Sequence, residues 1–83
     1  MDKEYVLIER IGTEANVISI FRDIEVAKKH LQDRVERVIE RVLERRERDT
    51  DEIRIYNSKD KTSCLISCRG CSAEIEIKEV EVV

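Results

Sequence analysis

Residues 24–48 constrain this chain more than any other stretch, because apolar residues recur there at helical spacing and nowhere else. At about 100° per residue, Ile24, Ala27, Leu31, Val35, Val38, Ile39 and Val42 fall on one stripe. Along one edge of it run Arg34, Arg37, Arg41, Arg45 and Arg48. Past the arginines, on the side away from the core, run Asp33, Glu36, Glu40, Glu44 and Glu47. A helix with one apolar stripe has to bury it, and the sequence holds no second helix to bury it against. Its partner is therefore a sheet. Asp23 is placed to cap the helix start, and Glu25 suits the first turn. Arg45, Arg46 and Arg48 suit the last turn, and Asp49, Thr50 and Asp51 break the pattern.

The rest of the chain reads as strands. Residues 5–11 (YVLIERI) and 17–21 (VISIF) flank a turn over 12–16 and form a hairpin. Residues 53–57, 62–68 and 71–79 follow the helix as three more strands. The spacing predicts an α+β, two-layer, single domain over residues 1–83: a mainly antiparallel five-stranded sheet with one long helix on one face, in the order ββαβββ. A two-residue turn at Arg69 and Gly70 would pair Cys68 with Cys71, Ile66 with Ala73 and Cys64 with Ile75. That register puts Cys64, Ile66, Cys68, Cys71, Ala73, Ile75 and Ile77 on one face without exception. After Lys78 the apolar phase slips to Val80 and Val82, which predicts a bulge near Glu79 or the end of the strand.

Composition removes several functional classes. The 83 residues carry 16 basic and 19 acidic side chains, a net charge of −3, and this argues against general nucleic-acid binding. Apolar content of 41% beside 42% charged residues, in a periodic pattern, describes a folded domain with a charged surface. There is no proline, and Gly12 and Gly70 are the two glycines, so no long active-site loop is expected. No apolar run approaches the ~20 residues of a membrane span. The charged N-terminus runs straight into a strand, so no leader is expected, and the expected address is the cytoplasm.

Cys64, Cys68 and Cys71 have the spacing C-x3-C-x2-C. Over those eight residues the chain resembles the cluster-binding motif of radical S-adenosylmethionine enzymes. Those enzymes hold it on a loop of a much longer barrel, whereas here it falls on a strand, a turn and the next strand. Zinc is the other metal reading, with His30 as a fourth ligand. Three reduced cysteines acting as small core residues fit the hairpin register best, so no metal or cofactor is expected. His30 has no nucleophile or carboxylate placed beside it by sequence, and no catalytic residue is assigned.

Three surfaces remain as partner sites. The arginine edge (Arg34, Arg37, Arg41, Arg45, Arg48) could grip phosphate or carboxylate through paired hydrogen bonds. The acidic row (Asp33, Glu36, Glu40, Glu44, Glu47) would oppose a phosphate backbone, although Asp33 with Arg37 and Glu44 with Arg48 are spaced for ion pairs. The second face of the sheet has no helix to cover it. Its apolar groups come from Tyr5, Leu7 or Val6, Val17 or Ile18, Tyr56 and Leu65. Tyr5, Leu7, Tyr56 and Leu65 are the expected self-association residues, and an exposed patch of that kind predicts a homodimer through this face or a sheet edge.

A small, charged ββαβββ chain of this kind resembles, in architecture, phage-encoded inhibitors such as anti-CRISPR proteins. The resemblance involves no motif and transfers no residue role. It implies a non-enzymatic interaction module that covers the nucleic-acid-binding surface of a host defence nuclease complex, with the acidic row as phosphate mimic. The alternatives are a small nucleic-acid-binding or regulatory protein using the arginine edge, and a small metal- or redox-active protein using the cysteines.

Overall fold

The helix begins where a side chain can satisfy its free amides. Asp23 Oδ1 accepts from the Glu25 amide at 2.8 Å, and the Ala27 amide donates to the Asp23 carbonyl at 3.0 Å. A computed structural model describes residues 2–45, 52–68 and 71–82, with backbone alone at 45 and 71. In it α1 spans Ile24–Arg45, about 33 Å at 1.5 Å per residue. The last turn expected over 46–48, and the breaker at 49–51, lie outside the described residues.

Five strands surround that helix in the chain: β1 (Lys3–Ile11), β2 (Glu14–Phe21), β3 (Arg54–Asn57), β4 (Ser63–Cys68) and β5 (Cys71–Glu81). All neighbours are antiparallel, in the order β2-β1-β5-β4-β3, so α1 carries the chain from one sheet edge to the other. The expected α+β two-layer fold and ββαβββ order are what forms. The β4–β5 register matches residue for residue, with Cys68 opposite Cys71, Ile66 opposite Ala73 and Cys64 opposite Ile75. Arg69 and Gly70 themselves lie outside the described residues.

Two expectations change. The first hairpin turns in two residues, not five. Gly12 has φ 62°, a value glycine adopts without strain, and Glu14, Ala15 and Asn16 pair with β1. The bulge predicted near Glu79 is absent from β5, whose register against β1 runs unbroken from Ala73 to Glu81. Val80 simply turns to the uncovered face, opposite Glu4. The irregularity sits in β2, where the pairing shifts between Leu7 and Ile8 and Ile18 becomes the extra residue.

The core lies between α1 and the sheet. Leu31, Val35, Val38 and Val42 from the helix meet Leu7, Cys64, Ile66, Cys68, Ala73 and Ile75 from the strands. Because side chains alternate along a strand, Tyr5, Leu7, Glu9 and Ile11 of β1 face the helix, and Val6, Ile8 and Arg10 face away. No helix among the described residues is long and apolar enough to cross a membrane.

Candidate functional site

The uncovered sheet face is divided by charge. Arg10 Nη1 lies 2.9 Å from Glu74 Oε1 and 2.6 Å from Glu76 Oε1, so an ionic strip runs across β1 and β5. Its hydrogen bond to Glu76, then that carboxylate's charge, raises the Arg10 pKa. On one side of the strip Leu65 pairs with Tyr56, both exposed. On the other, Val6 pairs with Ile20 and Ile8 with Val17. Val17 is 63% exposed and Ile20 is 58% exposed. This corner of β1 and β2 is continuous with the free edge of the sheet.

The structure corrects the residues expected on that face. Tyr56 and Leu65 stand on it, but Leu7 is 1% exposed and belongs to the core, and Tyr5 faces the helix side. Sequence left the phase of β1 open, since residues 5–8 are apolar on both faces. The pairing of Tyr5 with Phe21 and Glu79 decides it. Of the β2 alternatives Val17 and Ile18, Val17 stands on this face, with Ile20 beside it, and β2 is an edge strand of the sheet.

The helix flanks also differ from the expected pattern. Asp33, Glu36, Glu40 and Glu44 are exposed, and among the described residues none forms an ion pair within 4.0 Å. Exposed pairs gain ~0–1 kcal/mol and lose side-chain entropy, so the expected pair of Asp33 with Arg37 does not close, while that of Glu44 with Arg48 lies outside the described residues. Glu47 and Arg48 lie outside the described residues, as does the side chain of Arg45. Arg34 leaves the arginine edge altogether. Its Nε donates to Glu9 Oε1 at 3.1 Å and its Nη2 to Glu9 Oε2 at 2.8 Å. Glu9 is 4% exposed, a carboxylate at a core-facing position of β1. The forked pair raises the Arg34 pKa, chiefly through the hydrogen bond. Sequence did not single out Glu9, because its burial follows from the phase of β1, and only the pairing with β2 and β5 turns Leu7, Glu9 and Ile11 inward together. Arg37 and Arg41 remain exposed on that flank.

The cysteines and His30 do not converge. Cys64 and Cys68 are free, buried thiols facing the helix, and burial pushes the Cys64 thiol up. The side chain of Cys71 lies outside the described residues. His30 stacks on Phe21 of β2 with ring centroids 4.7 Å apart. β2 and β4 stand three strands apart, about 14 Å at ordinary strand spacing. His30 therefore cannot complete a zinc site with Cys64 and Cys68. Among the described residues no three His, Cys, Asp or Glu side chains are grouped as metal ligands.

A basic groove missed in the sequence lies at the other flank of α1. Glu25, Lys28, Lys29, Leu31 and Gln32 form one wall, and Asn57, Ser58, Lys59 and Lys61 form the other. The β3–β4 turn behind it is tightly bonded. Asp60 Oδ1 accepts from the Ser58 hydroxyl at 2.8 Å, the Thr62 hydroxyl at 2.7 Å and the Thr62 amide at 3.2 Å. These bonds, the Thr62 hydroxyl foremost, lower the Asp60 pKa to about 2. Lys61 adopts φ 61° in that turn. Two short lysine-bearing segments thirty residues apart gave no local pattern; only the helix crossover brings them together. Set against known proteins, the chain matches no family model, no curated protein and no solved structure.

Proposed function

We propose that this chain is a non-enzymatic protein-interaction module, and that its first partner is a second copy of itself. One observation carries the reading: β2 is an eight-residue edge strand, exposed along nearly its whole length, with Val17 and Ile20 the most exposed large apolar residues. Between Glu14 and Arg22 it has no charged residue and no proline, the usual protections of an edge. Antiparallel pairing suits a second copy. With Val17 opposite the partner's Ile20, both apolar residues stay on the uncovered face, because the bulge at Ile18 reverses the alternation between them. Amide hydrogen exchange tests it. The outward-pointing β2 amides should gain protection as concentration rises, and exchange rates for β2 that ignore concentration would contradict it.

A second reading concerns the outer face of the helix. Asp33, Glu36, Glu40 and Glu44 form an exposed acidic row with no ion pair among the described residues, which supports a partner that ordinarily binds phosphates, such as a host defence nuclease complex, inside the cytoplasm of that host. The chain should displace a labelled oligonucleotide from such a complex, and the double reversal Glu36→Lys/Glu40→Lys should abolish displacement. Undiminished displacement by that variant would reject the acidic row as the contact.

A further inference from the structure

We propose that the groove between α1 and the β3–β4 turn binds the phosphate chain of an anionic ligand. The groove encloses about 460 Å³ and is lined by Lys28, Lys29, Lys59 and Lys61. The whole chain has six lysines, so four of them meet at one place on a protein of net charge −3. Like charges so gathered repel one another, and a bound polyanion relieves that repulsion.

The nearby carboxylates do not neutralise the groove. Asp60 accepts from Ser58 and Thr62 at Oδ1 and is not among the residues that line the groove. Glu25 reaches Lys28 at 3.8 Å, at the limit of an ion pair, and its side chain is largely exposed. The net charge of the lining is therefore three positive units, from four lysines and one glutamate. Gln32 and Asn57 add amide donors, and Leu31 gives the groove an apolar floor beneath them. Lysine ammonium groups bind phosphate as point charges, which suits a chain of phosphates more than one planar carboxylate. The two walls come from different elements, and the bonds within the 58–63 turn hold the backbone that carries Lys59 and Lys61 in place without the ligand.

Tripolyphosphate and a ten-nucleotide single strand, titrated separately by calorimetry, separate the two sources of this chemistry. Saturable 1:1 binding of tripolyphosphate identifies a free phosphate chain, and binding of the oligonucleotide alone identifies a nucleic-acid backbone; either supports the site. Lys59→Glu/Lys61→Glu should weaken binding at least tenfold, and Lys28→Glu/Lys29→Glu should do the same from the other wall. Arg37→Glu/Arg41→Glu makes an equal change in net charge and should leave affinity within twofold. Circular dichroism confirms that each variant is folded. No saturable binding of either probe, or equal weakening by the arginine control, would overturn the proposal.

Discussion

Removing Arg34 should cost this domain much of its stability. Arg34→Ala strands the Glu9 carboxylate, 4% exposed, without the two hydrogen bonds at 3.1 and 2.8 Å that now satisfy it. Leaving one partner of a buried pair costs about 3–5 kcal/mol. The Arg34 side chain is 22% exposed, so water reaches the pair from its outer end, and about 3 kcal/mol is the expected loss. A domain of this size holds ~4–12 kcal/mol in all. With a urea slope of about 1 kcal/mol/M, the midpoint should fall by about 3 M. Glu9→Gln keeps the shape and leaves Arg34 able to turn to solvent, so its cost should be about 1 kcal/mol. Glu9→Leu/Arg34→Leu removes both charges and should come within about 1 kcal/mol of wild type, since apolar replacement of a buried pair is often neutral. Urea titrations followed by circular dichroism measure all three. An Arg34→Ala midpoint within experimental error of wild type would refute the claim that this pair ties the helix flank to β1.

Three further outcomes follow from the same geometry. Val38→Asp should abolish cooperative thermal unfolding, because Val38 is 3% exposed at the centre of the stripe and an unpaired buried charge costs several kcal/mol; a sharp transition near the wild-type temperature would show the helix packs otherwise. The Asp60 pKa is lowered to about 2 in the folded state, so its charge stabilises the fold above the unfolded value of 3.8 and that contribution fades as pH falls from about 4 to 2. The melting-temperature gap between wild type and Asp60→Asn should therefore narrow over that window, and a constant gap would reject the turn bonds. Cys64, buried and with its thiol pushed up, should resist alkylation until urea unfolds the chain, as peptide mapping would reveal; rapid native-state labelling would place it outside the core.

The fold was largely legible because its two periods were clean. The stripe from Ile24 to Val42 left one packing solution for the helix, and the all-apolar face of the last hairpin left one register, both realised. Where the alternation was ambiguous, reading failed. β1 has apolar residues on both faces from Tyr5 to Ile8, so Leu7 could be placed on the surface until long-range pairing with β5 put it under the helix. The phase slip at Val80 resembled a bulge, yet it marks only where the helix ceases to cover the sheet. The surfaces were legible as compositions, not as partners: the arginine edge lost Arg34 to a glutamate twenty-five residues away. Likewise, the lysine groove joins residues that are neighbours only through the crossover. Such contacts depend on tertiary placement, which local spacing does not encode.

Sedimentation equilibrium tests self-association through the β1–β2 corner most directly. Across low to high micromolar concentration, the wild type should approach twice the 9.8 kDa chain mass. Ile20→Lys puts a charge on the free edge strand, where Ile20 is 58% exposed, and should sediment as a folded monomer over the same range. A wild-type protein that stays at the single-chain mass throughout, or an Ile20→Lys variant that dimerises as strongly as wild type, would contradict the account.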